Sequence, residues 1–264
     1  MPTLRSEDAL LYYELSGSGP DLVLLHPFPL NHHFWDGVVP ALADRYRVIT
    51  VDLRGHGDSE LGHGPATMAK HAADLLALCR SEGVAKAIFV GVSIGGYVLF
   101  EFWRQHHDRV AAIVLSNTRA EAETAEGRAG RLRTADEVLR EGAGAFIEGM
   151  LERLLGATTR KERPNIVEAA RRMMQKMSPE DIAGVQRGMA DRPDSIQTLS
   201  TINVPSLVIA GAEDSTPLSD LELIRNGIAG SKLHVIQKAG HYAAMERPAE
   251  YAGVLGRFAD EVYG

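Results

Sequence analysis

The chain has 264 residues, 45% of them hydrophobic, enough for a sizeable core and within the range of a single α/β unit. A formal net charge of −7 argues against nucleic acid, whose polyanionic backbone recruits basic surfaces. One cysteine, Cys79, excludes an internal disulfide and leaves no zinc framework, and its helical setting reads as a small buried hydrophobe.

Taken in order, the first residues, MPTLRSEDALLYYELSG, lack a basic region followed by an apolar core. No apolar run approaches the roughly 18 residues that a bilayer span needs. The expectation is a soluble, cytoplasmic protein with no membrane partner. Residues 3–15 pattern as a hairpin turning at Glu7-Asp8. The apolar, β-branched runs at 21–26, 46–52, 86–93 and 110–118 read as buried parallel strands. Helical patterns lie between them, near 34–43, 66–82 and 95–106. This alternation predicts an α/β fold, a doubly wound and mostly parallel sheet with helices on both faces.

From about 119 to 200 the sequence is helical and rich in Arg, Glu and Met, with no strand-like run. SPED at 178–181 has the form of a capping box with Asp in place of the usual Glu or Gln, and RPDS at 192–195 suggests a further start. Strands resume at 204–214 and 232–241, and a closing helix covers about 248–262. The expected organisation is a core of residues 1–118 and 201–264 with residues 119–200 inserted as a helical cap, not a second independent domain.

GVSIG at 91–95 fits Gly-x-Ser-x-Gly, a modest signal alone that gains from the strand before it and the helix after it. Such a strand–turn–helix holds Ser93 at the C-terminal edge of the sheet with its hydroxyl exposed. A serine nucleophile needs a base, and the base an orienting carboxylate. Asp214 in VIAGAEDSTPL and His241 in VIQKAGHYAAMERP each stand just past a later strand, in the chain order such a triad requires. An Asp after a strand is commonly a turn residue and a lone His commonly structural, but all three at strand ends is a stronger pattern than any alone.

On HPFP (26–29), DLRGHGDS (52–59), GVSIGG (91–96), GAEDSTP (211–217) and AGHYAAMERP (239–248), the chain resembles the α/β-hydrolase superfamily over essentially its whole length. Within it, the likeness is to small bacterial esterases and lactonases of the 3-oxoadipate enol-lactonase kind, with cofactor-free haloperoxidases close by. The resemblance implies Ser93 as nucleophile, His241 as general base, Asp214 as its orienter and a helical cap over the pocket. It also implies an oxyanion hole from the N–H groups of Phe28 and Ile94. Pro27 stands where the family usually has glycine, which costs only the N–H at 27, and with Pro29 it stiffens the loop. A cis bond before Pro29 is a further family expectation. Phe28 would line the acyl pocket, and His26 is a second substrate-binding candidate.

His26, His32 and His33 lack the separations that place ligands on one helix face, and no acidic or cysteine motif accompanies them, so no metal and no cofactor are expected. Asp52, Arg54 and Asp58 read as residues that fix a loop, and Met150, Met173, Met174, Met177 and Met189 as core packing of the cap. Arg128, Arg131, Arg133, Arg171, Arg172 and Arg187 are candidates for a cationic pocket group, most of them expected on solvated faces. The function implied is hydrolysis of a small-molecule ester or lactone through an acyl-enzyme. Perhydrolysis or carbon–carbon bond hydrolysis on the same triad, and a receptor role on a hydrolase fold, remain open, as does a homo-oligomer.

Overall fold

The fold is given by a computed structural model that describes residues 2–264. β1 (Thr3–Ser6) and β2 (Ala9–Ser16) pair antiparallel with Ser6 opposite Ala9, which leaves Glu7-Asp8 as the turn. β2 runs antiparallel to β4 (Arg47–Val51), and every later pairing is parallel. With β3 (Asp21–Leu25), β5 (Ala87–Val92), β6 (Val110–Ser116), β7 (Ser206–Gly211) and β8 (Lys232–Ile236), the strand order is β1-β2-β4-β3-β5-β6-β7-β8. The chain leaves β3 for β4 on one side and returns to β5 on the other. That switch opens a crevice at the C-terminal ends of the strands. β5 and β7 are buried at every position, which is why they read as unbroken apolar runs and not as alternations.

The helices of the first half are α1 (Val39–Leu42), α2 (Met68–Ser81) and α3 (Ile94–His106). The expected continuous helix near 34–43 is instead a 3-10 turn at His32–Trp35 followed by α1. Pro40 explains the break: its ring would collide with the carbonyl four residues back, and it sits in the first turn of α1, where no N–H is needed.

Only helices connect β6 to β7: α4 (Ala125–Glu141), α5 (Gly144–Leu154), α6 (Ala157–Glu162), α7 (Pro164–Met174), α8 (Pro179–Ala190) and α9 (Ile196–Leu199). α4 packs against α8. The capping box is formed, with the Ser178 hydroxyl accepting from the Asp181 N–H and the Asp181 carboxylate accepting from the Ser178 N–H, both at 3.1 Å. α9 starts differently from the reading of RPDS: the Ser195 side chain makes no cap, and Asp194 accepts from the Ile196 N–H at 3.0 Å. Met150, Met173, Met174, Met177 and Met189 are all buried. α10 (Leu218–Gly227), α11 (Ala243–Glu246) and α12 (Pro248–Tyr263) complete the chain. No helix among the described residues is long and apolar enough to cross a membrane.

DLRGHGDS is a brace. Asp52 accepts from the His32 N–H at 2.7 Å, the His32 ring at 2.8 Å and the Asp58 N–H at 2.9 Å. Arg54, wholly buried, grips Asp74 with two bonds of 2.9 and 2.7 Å and reaches Asp8 at 2.5 Å. A buried guanidinium is tolerable only with its donors matched in this way.

Beside this brace lie three histidines with almost no solvent exposure, His26, His56 and His71. Burial pushes His26 down to about 3 and His56 to about 4, and holds His71 well below its ordinary value. Neither ring nitrogen of His71 has a partner among the described residues. These rings stay neutral in the folded chain but take up protons on unfolding below about pH 6.5, so their contribution is complete above that pH and lost as pH falls. His32 acts oppositely: burial works against its charge, but Asp52 wins and raises it. With these three, and His106 also lowered by burial, against His32 alone, the urea midpoint should fall between pH 7 and pH 5. The fall should be shallower in His71→Leu, which removes an unpaired buried polar ring; an unchanged slope in that variant would contradict the assignment.

Candidate active site

Ser93 is the hinge between β5 and α3 and adopts φ 56°, ψ −114°, a region costing a non-glycine residue roughly 1–3 kcal/mol. Backbone hydrogen bonds hold it there. Its N–H donates to the Ser116 carbonyl at 2.9 Å, and its carbonyl accepts from the Thr118 hydroxyl at 2.7 Å and the Gly96 N–H at 2.9 Å. Two glycines are required by the close approach of strand and helix. A Cβ on Gly91 would lie 2.5 Å from the Gly95 backbone, and one on Gly95 would lie 2.7 Å from the Leu25 carbonyl oxygen.

Asp214 follows β7 and His241 follows β8, as their strand-end positions suggested. The structure brings them together: His241 Nδ1 lies 3.0 and 2.9 Å from the two carboxylate oxygens. Asp214 also accepts from the Thr216 N–H at 2.9 Å and from Asn117 Nδ2 at 2.8 Å. Burial alone would push the Asp214 carboxyl up, but the adjoining His241 and these donors outweigh it and hold it below its usual range. Asn117 went unrecognised in the sequence. Its signal was available, for it stands directly past β6, at the same sheet edge as the other three.

The loop carrying His241 is fixed from beneath by Glu246, wholly buried, which accepts from the N–H groups of Gly240 at 3.0 Å, Tyr242 at 3.2 Å and Gly156 at 3.0 Å. The His241 N–H donates to the Leu154 carbonyl at 2.8 Å, tying the end of α5 to the same loop.

Opposite, the Phe28–Pro29 bond is cis. Among the described residues, neither the Phe28 N–H nor the Ile94 N–H has a hydrogen-bond partner, so both are available to an incoming oxygen. The histidines of this loop go three separate ways. His32 turns to Asp52 and His33 to Asp36 at 3.1 Å. His26 must be corrected as a substrate-binding candidate. It is wholly buried, accepts from the Leu53 N–H through Nε2 at 3.0 Å and lies within 3.0 Å of the Pro27 carbonyl through Nδ1. A strand-end side chain can face the crevice or the layer beneath it, and the Leu53 N–H draws His26 beneath.

Ser93, His241 and Phe28 line one cavity of about 300 Å³, together with Tyr97, Met150 and Met189. Four arginines enter the same cavity: Arg119, Arg131, Arg153 and Arg192. Only Arg131 was among the cationic candidates named from sequence. Arg128 pairs with Asp191, Arg187 with Asp136, and Arg171 and Arg172 with Glu168, away from this cavity.

Residues 20–248 match the family model for the alpha/beta hydrolase fold. A 3-oxoadipate enol-lactonase from Acinetobacter baylyi is 28% identical over 94% of this chain and 92% of its own length. A thermophilic esterase from Thermogutta terrifontis, solved with malate bound, superimposes with a TM-score of 0.96 at 35% identity over 100% of this chain and 99% of that one. The enol-lactonase from Burkholderia xenovorans superimposes with a TM-score of 0.91 at 26% identity, over 98% of this chain and 100% of that one.

The Gly91 contact gives a test independent of chemistry. Gly91→Ala forces backbone against backbone and should cost roughly 1–3 kcal/mol of stability in a urea titration. An unchanged midpoint would mean that the turn is not close-packed as described.

Proposed function

This chain belongs to the α/β hydrolase fold family, and we propose that it is a carboxylic ester hydrolase that cleaves a small ester or lactone through Ser93, His241 and Asp214. The observation that carries the reading is the His241–Asp214 pair opening onto the cavity that Ser93 also lines. Asp214 holds the imidazole with Nδ1 toward itself, which leaves Nε2 as the base. His241 takes the hydroxyl proton as Ser93 Oγ bonds to the scissile carbonyl carbon. The developing oxyanion is met by the free N–H groups of Phe28 and Ile94. The tetrahedral intermediate then collapses, the bond to the leaving oxygen breaks, and His241 returns the proton to that oxygen. Water repeats the sequence on the acyl-enzyme, releasing the acid and restoring Ser93.

Residues 119–200 are read as a cap on this site. In support, α4, α5 and α8 supply Arg131, Met150 and Met189 to the cavity, and the Leu154 carbonyl holds the His241 loop. Relatives named as enol-lactonases and an esterase favour ester and lactone hydrolysis over the other reactions open to such a triad.

The test is a series of p-nitrophenyl esters from acetate to octanoate. Turnover should fall roughly 10³-fold or more in Ser93→Ala and in His241→Gln, because the three groups act as a unit. Equal turnover in the parent and Ser93→Ala would sink Ser93 as nucleophile. Asn117→Ala removes one donor from Asp214 and should lower kcat by about tenfold with little change in KM. An effect on KM alone would place Asn117 outside the positioning of the base.

A further inference from the structure

Asp214 and His241 stand on the loops after β7 and β8, and β8 is the last strand of the sheet. The His241 loop therefore has a neighbouring strand on one side only. Further support comes from the joint between α5 and α6, residues 155–156, and the residues that flank it. Gly156 and Gly240 meet backbone to backbone: a Cβ on Gly240 would lie 2.3 Å from the Gly156 nitrogen, and one on Gly156 would lie 2.8 Å from the Gly240 nitrogen. The Leu154 carbonyl and the Gly156 N–H bond the same loop, to the His241 N–H and to Glu246.

Glu213 joins this contact to the other loop. It directly precedes Asp214, and its own N–H donates at 2.7 Å to the carbonyl of Ala239, two residues before His241. Its carboxylate accepts from the Thr158 N–H at 2.8 Å and from the Thr158 hydroxyl. That N–H lies in the first turn of α6, where a helical donor lacks an intrahelical partner, and Gly156 gives α6 no side-chain cap of its own. A carboxylate from another element fills the place and faces the positive end of the helix. Burial alone would push the Glu213 carboxyl up, but the two Thr158 donors, with Arg247 and Lys238 nearby, outweigh it and hold it below the usual range. Neither Glu213 nor Thr158 lines the Ser93 cavity, although Ser215 and Thr216, just past Asp214, both do.

We infer that Glu213 and Thr158 are positioning residues for the acid–base pair. Their contact ties the Asp214 loop, the His241 loop and the start of α6 into one unit, and so fixes how Asp214 holds the imidazole. This rests on reading His241 as the base and Asp214 as its orienter. A shift of about 1 Å in either loop turns Nε2 away from the Ser93 hydroxyl, and misplacement on that scale costs up to about 10²-fold in rate. Because neither residue touches the substrate, the loss is felt in kcat and not in KM.

The experiment measures kcat and KM for p-nitrophenyl acetate, and the urea midpoint, in Glu213→Ala, Thr158→Val and Thr158→Ser. kcat should fall about tenfold in Glu213→Ala, which removes both bonds, and by a smaller factor in Thr158→Val, which removes one. KM should stay at the parent value in both, and Thr158→Ser, which keeps the hydroxyl, should restore kcat. Adding Thr158→Val to Glu213→Ala should cost nothing further, because the two act through one contact. Ser178→Ala, which removes the cap of α8, is the control: it should lower the midpoint and leave kcat unchanged. A lowered midpoint with kcat unchanged in Glu213→Ala would make the contact structural only and overturn the inference. A second readout needs no turnover. The proton between His241 Nδ1 and Asp214 should give a far-downfield 1H resonance in the parent, weakened in Glu213→Ala and kept in Ser178→Ala. That weakening in a protein that turns over no ester would keep the positioning role and sink the hydrolase reading. Turnover abolished by Ser93→Ala, with kcat and resonance unmoved in Glu213→Ala, would do the reverse.

Discussion

The strained turn at Ser93 is the constraint on which the site depends. A non-glycine residue at φ 56° persists only where its surroundings over-determine it. Here the Gly91–Gly95 approach leaves the chain no room to relax, and the end of β6 and the residues just past it supply partners for both backbone groups through Ser116 and Thr118. The same geometry leaves the Ile94 N–H free at the first turn of α3, where helical donors lack intrahelical partners. Strain, exposed hydroxyl and free donor are three consequences of one backbone conformation.

A parallel sheet then does the gathering. β5, β6, β7 and β8 are consecutive neighbours, and each delivers one residue at its C-terminal end: Ser93, Asn117, Asp214 and His241. Adjacent strands lie only about 4.8 Å apart, so residues distant in sequence become hydrogen-bonding neighbours without long side chains. The loop that bears His241 and the loop after β4 are each held by a buried carboxylate. Glu246 collects three backbone donors under His241, and Asp52 collects three around the loop after β4.

Much of this was legible in the sequence, and the reasons differ from place to place. Buried parallel strands announce themselves as short apolar runs, and a residue just past such a run has its position nearly fixed. That is why Asp214 and His241 could be placed at one sheet edge, where the structure pairs them, and why Asn117 was within reach. The direction of a side chain at a strand end is not so fixed. His26 was placed on the wrong side of its loop because the partner that draws it down, the Leu53 N–H, lies on a different strand's loop. The arginines show a second limit. A helical period tells which residues share a face but not which face meets a cavity, so Arg131 was one candidate among six and Arg153 was not among them. Pro40 was visible, yet its effect in dividing the helix near 34–43 was not drawn from it.

The central claim is that Ser93 forms a covalent bond with the carbonyl it attacks, and labelling tests it most directly. After treatment with a fluorophosphonate, intact mass should rise by one adduct. Peptide mapping should place that adduct on Ser93, and His241→Gln should label far more slowly. An adduct on another residue, or undiminished labelling of Ser93→Ala, would contradict the claim.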